Sequence, residues 1–158
     1  MNNNKPEVIS STSVLDKTGF EWENNDCVVR AMAIAADTDY PTAHKWVKEN
    51  LKRPDREGTS LTAIKLSILS NAEVKINNKH FISISSNDLY NPDYTHKKVQ
   101  YTVGTFSQKH NKGTYFILVR GHALTIKDGV IYDNGNFKIR NNGFRRPIRN
   151  AFKFEETK

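Results

Sequence analysis

One cysteine, Cys27, and five histidines, His44, His80, His96, His110 and His122, are the residues of this chain whose types most readily do chemistry. A thiol attacks a carbonyl carbon only as thiolate, and an ordinary thiol pKa of about 8.5 leaves little thiolate at neutral pH. A helix N-terminus and a nearby imidazolium both lower that value. Cys27 stands where the first applies, because Asn24-Asn25-Asp26 offers N-cap chemistry and the apolar run CVVRAMAIAA follows. His122 opens the apolar run ALTIK after Arg120-Gly121, and a strand end is a rigid place to hold a general base. Asp133 follows on the next strand. If Asp128-Gly129 is a two-residue hairpin loop, Asp133 lies beside Leu124, diagonal to His122, and a carboxylate or amide at 133–135 can orient the imidazole.

The elements that must position these groups read as helices first and strands later. Cys27, Ala31, Ile34 and Ala35 share one helical face. Thr38-Asp39-Tyr40-Pro41 ends that helix and begins a second, which runs to about Asn50. After the polar loop KRPDREG, Thr59 or Ser60 caps a third helix, LTAIKLSILS. Strands are expected at 72–76 and 81–84, then in TYFILVR, HALTIK and VIYDN, then at 137–140 and 148–154, with a helical turn at 105–110. The fold class is α+β, with N-terminal helices packed on a C-terminal antiparallel sheet.

Composition narrows the function classes. The chain has 158 residues, 37% hydrophobic and 26% charged, which suits one folded domain. Residues 1–22 read as a polar N-terminal arm and 23–158 as the domain. No apolar run is long enough for a membrane span and the start has no signal-like apolar region, so a cytoplasmic protein without membrane contact is expected. A lone thiol makes no internal disulfide, and the histidines lack HxxxH or HExxH spacing, so neither a metal nor a cofactor is expected. The net charge of +7 favours an acidic partner or nucleic acid.

The order of Cys27 on a first core helix, His122 at a late strand start and Asp133 on the next strand resembles the papain-like cysteine peptidase superfamily, especially its C39-like branch. Within it, NDCVVRAMAIA, YPTAHKWV, Gly58-Thr59 and GHALTIKDGVIYDN look like a set of small bacteriophage proteins. The resemblance spans about Glu23 to Phe154 and implies a papain-like fold, a Cys27–His122–Asp133 triad, and location in a host-cell cytoplasm or a virion. Asn134 is the alternative third member, since an Asn fills that role in papain-like enzymes. Those enzymes carry a Gln shortly before the Cys as oxyanion donor; here Glu21, Trp22 and Glu23 occupy the stretch, leaving Asn24 or Asn25 to supply an amide beside the Cys27 N–H. A Gly commonly follows the Cys, where this chain has Val28.

The expected activity is thiol-dependent acyl transfer on a peptide, protein or other amide or ester, by a peptidase or amidase. The alternative is a weak or inactive version of the fold that binds a host factor or nucleic acid. For the latter, the C-terminal stretch interleaves Arg145, Arg146 and Arg149 with Phe144, Phe152 and Phe154, a pattern that suits phosphate contact and base stacking. The competing reading of that stretch is a final strand with a solvated basic face.

Overall fold

The computed structural model describes residues 7–60, 63–64, 74–133 and 143–156. Among them are seven strands and four α-helices. In chain order they are β1 (Val8–Ser10), α1 (Ser11–Val14), α2 (Cys27–Ala36), α3 (Tyr40–Asn50), β2 (Lys75–Ile76), β3 (Lys79–Ser83), a 3-10 turn (Ser86–Leu89), α4 (Val103–Lys109), β4 (Thr114–Val119), β5 (His122–Lys127), β6 (Val130–Asp133) and β7 (Asn150–Glu156). They form one sheet in the order β1-β6-β5-β4-β7-β3-β2. Every neighbouring pair is antiparallel except β1 with β6, which run parallel. The mixed α+β class expected from the sequence is therefore present, with one parallel pair at an edge.

Alternation along the strands divides the core in two. Phe116, Leu118, Ala123, Phe152 and Phe154 pack with α2 and α3 on one side of the sheet. Tyr115, Ile117, Val119, Leu124, Ile126, Ile131 and Ala151 pack with Val103 and Phe106 of α4 on the other. The one-faced pattern read for α2 understates its burial: every residue except Cys27 and Arg30 is buried, because α2 lies between the sheet and α3. Asp39 Oδ1 caps α3 by accepting from the Thr42 N–H at 2.8 Å, and Pro41 sits in the first turn.

The hairpin register is the one expected. Thr125 pairs with Tyr132 and Lys127 with Val130, and Asp128 and Gly129 both take positive φ, as a tight two-residue turn requires. The helical turn expected at 105–110 begins two residues earlier, where Thr102 and Thr105 form a capping box. The expected third helix lies almost wholly outside the described residues, as do the strand at 137–140 and residue 134.

The segment read as a polar arm is built into the fold over residues 7–22. Val8–Ser10 pairs with Ile131–Asp133, Ser11 is buried, and Leu15 and Phe20 pack on the core. Main-chain hydrogen bonds to an open sheet edge hold β1, and they need no apolar run to form. Phe20 then stacks near Tyr40 and His44, with ring centroids 5.4 and 4.7 Å away.

Candidate active site

Two anchors set where Cys27 sits. The first is Asp26, buried directly before it, which accepts from the Tyr40 hydroxyl at 2.7 Å and pairs with Lys17 at 2.8 Å and Arg30 at 3.2 Å. Burial pushes the Asp26 carboxyl up, but these partners outweigh it and hold it below the ordinary carboxylate range. Because the Asp26 side chain is committed to them, it makes no cap hydrogen bond to α2. The first N–H groups of α2 are left without a side-chain cap, at the residues that carry the thiol.

The second anchor is Thr125, whose buried hydroxyl donates to the Ala31 carbonyl at 2.6 Å and ties α2 to β5. His122 begins that same strand. Gly121, at φ +70°, makes the reversal from β4 that presents it, a conformation few other residues adopt without strain. His122 Nε2 lies 2.5 Å from Asp133 Oδ1, across the hairpin. With Nε2 engaged, Nδ1 is the nitrogen left for the thiol.

The electrostatics of the group follow from this. Burial pushes the Cys27 thiol up, yet the hydrogen bond and charge of His122, the Ala123 N–H and the Arg30 charge reverse that and hold it below its ordinary value. Burial also disfavours the His122 imidazolium, but the Asp133 hydrogen bond, the Cys27 hydrogen bond and both charges raise it to about 9. Each shift favours the thiolate–imidazolium pair near neutral pH, and the two groups titrate together. Cys27, His122 and Asp133, which lie far apart in sequence, are thus brought together; Asn134 lies outside the described residues.

The thiol opens onto a cleft of about 290 Å³, between the start of α2, Gly58-Thr59 and the ends of β4, β5 and β7. Asn24 and Asn25 do not line it. Asn25 turns the chain at φ +51° and donates its amide to the Arg56 carbonyl at 3.2 Å, with a longer contact of 3.4 Å to Asn24 Oδ1. Cys27 and Val28, at the start of α2 where no side chain caps the helix, do line the cleft.

Behind the loop sits a buried ion network that periodicity does not reveal. Arg53 Nη1 and Nη2 donate to the Glu23 carboxylate at 3.0 and 2.7 Å, His44 Nε2 meets it at 2.7 Å, and the Arg56 N–H donates to it at 2.7 Å. Burial pushes Glu23 up, but these partners bring it down to about 2. The network clamps the segment before Cys27 to the loop that leads to Gly58-Thr59. Glu23, His44 and Asp55 also come close enough to suggest a metal site, but Arg53 already takes both Glu23 oxygens. His44, read from the sequence as structural or at the site rim, is a member of this network. Its acid and its arginine lie thirty residues apart in polar stretches that carry no sequence sign of burial.

Of the basic C-terminal residues, Arg149 lines the Cys27 cleft, Arg146 Nη2 donates to the Arg120 carbonyl at 3.2 Å, and Arg145 is exposed. Phe152 and Phe154 are buried core residues, so they are not free for base stacking. No helix of the described residues is long and apolar enough to cross a membrane. Against this geometry, no protein-family model, no curated protein and no solved structure matches the chain.

Proposed function

We propose that this chain is a thiol-dependent acyl-transfer enzyme, a peptidase or amidase of papain-like fold and phage type, with Cys27 as nucleophile, His122 as base and acid, and Asp133 as its orienting partner. The observation that carries the reading is that Cys27 and His122 share one cleft with Asp133 bonded behind the imidazole, the thiol pKa being lowered and the imidazole pKa raised. The Cys27 thiolate attacks the carbonyl carbon, a C–S bond forms, and the carbonyl electron pair moves to oxygen. The N–H groups at the uncapped start of α2 are the best-situated donors to that oxyanion. Collapse breaks the C–N or C–O bond, and the imidazolium gives its proton to the leaving group. Water then attacks the thioester while His122 takes its proton, and the thiolate leaves.

A broad panel of peptides and activated esters tests this, with Cys27→Ala as control. Turnover that disappears in Cys27→Ala, with a trapped acyl group on Cys27, supports acyl transfer. If nothing in the panel is turned over by the unsubstituted chain, the binding-protein reading becomes the better one. The engagement of the Asn25 amide by Arg56 favours that second reading, because it takes one expected oxyanion donor away from the cleft.

A further inference from the structure

The walls of the Cys27 cleft differ in character. Val28, Ile64 and Leu118 are buried apolar residues that line it, whereas Arg120, Arg149 and Asn150 stand at the sheet end. Strand pairing explains the second group. Leu118 is paired with both Ala123 and Asn150, so the ends of β5, β4 and β7 lie side by side. The Arg149 N–H donates to the Leu118 carbonyl at 2.9 Å, which fixes Arg149 at that end. The β4–β5 turn puts Arg120 two residues before His122.

The charge at this end is one-sided. Among the described residues, no carboxylate lines the cleft. Arg120, Arg145, Arg146 and Arg149 form no ion pair among the described residues, whereas the partly buried Arg30 and the buried Arg53 both do. Unneutralised cations beside low-dielectric walls concentrate anions at the mouth of a cleft. Guanidinium forks match carboxylates in particular, because two parallel N–H donors meet two oxygens.

We propose that the cleft selects acyl substrates that carry a carboxylate close to the reacting carbonyl, held by Arg120 and Arg149, with an apolar side chain against Val28, Ile64 and Leu118. The carboxylate comes either from an acidic side chain or from a chain terminus. The assignment rests on acyl transfer by Cys27, so its test needs a readout that does not depend on turnover.

Alkylation by iodoacetate and iodoacetamide provides one. Both probes report the same thiolate, so their rate ratio cancels the thiolate population and isolates the preference for an anion. The expected ratio exceeds that of a small free thiol by at least about threefold and falls with added salt. It drops by at least about threefold in the double variant Arg120→Ala/Arg149→Ala, whereas Arg120→Lys/Arg149→Lys keeps most of it. A ratio equal to that of the free thiol, or unmoved by the double Ala variant, overturns the proposal even if esters are turned over. With turnover in hand, matched peptides distinguish the carboxylate sources: an internal Glu, a free C-terminus, and a C-terminal amide with neither. Equal kcat/KM across all three also overturns it. Protection of Cys27 by a single-stranded oligonucleotide at low salt, with none from the acidic peptides, would instead assign these arginines to nucleic acid.

Discussion

Replacing Asp133 by Asn keeps the size and planarity of the side chain at the end of β6 and removes its charge from His122. The imidazole stands at about 9 against an ordinary 6.5, a difference that corresponds to about 3 kcal/mol favouring the imidazolium. Burial works against that form, so the raising contributions together exceed this figure, and the Asp133 hydrogen bond leads them. If Asp133 supplies about half, Asp133→Asn loses about 2 kcal/mol of imidazolium stabilisation, or roughly tenfold or more in the ion-pair population. The sign in pH follows from a raised pKa. The stabilisation is fully present below about 6.5, where the unfolded histidine is also protonated, and is lost as pH rises through about 9. Denaturant unfolding of both chains should therefore show a gap of about 2 kcal/mol at pH 6 that closes by about pH 10. Turnover on any substrate found should fall at least tenfold at neutral pH, because the amide also permits the wrong tautomer. A stability gap that stays constant from pH 6 to pH 10 would refute the reasoning, since the carboxylate would then be acting as a packing group only.

Two further outcomes follow from the supports of the site. Glu23→Gln leaves Arg53 buried without its charge partner and should cost about 3–5 kcal/mol in chemical denaturation. Because Glu23 is lowered to about 2, the unsubstituted chain should lose that stability as pH falls from about 4.5 toward 2, and the variant should lack this limb. Thr125→Val removes the hydroxyl that donates to the Ala31 carbonyl and should destabilise by about 1–3 kcal/mol. A loss near zero would mean that α2 is positioned by apolar packing alone.

The parts legible in the sequence were those with a local signal. The run CVVRAMAIAA has a helical period, Asp39 and Pro41 mark the next helix start, and Asp128-Gly129 dictates the turn that sets the register of Asp133 against β5. What the sequence hid depends on pairing between distant segments. Residues 7–22 look like an arm because β1 is held by main-chain bonds to β6, and Phe20 finds its partners on α3 only after folding. The Glu23–Arg53 pair joins residues thirty positions apart, and a charged residue gives no periodic sign that it will be buried. Asn25 looked like an oxyanion donor from its neighbourhood alone. Its amide goes to the Arg56 carbonyl, a partner fixed by the same Glu23 clamp. The basic C-terminal stretch suggests phosphate contact or a solvated basic face, and only strand pairing shows that Arg149 reaches the Cys27 cleft.

The central claim is that His122 makes Cys27 a thiolate before any substrate arrives. The most direct measurement is the rate of iodoacetamide alkylation of Cys27 against pH, in the unsubstituted chain and in His122→Ala. The account predicts an inflection below the ordinary thiol value of about 8.5, moving up toward it in His122→Ala. Above about pH 9 alkylation should stay on its plateau, because loss of the imidazolium leaves the thiolate in place. An inflection near the ordinary thiol value, unmoved by His122→Ala, would contradict the claim.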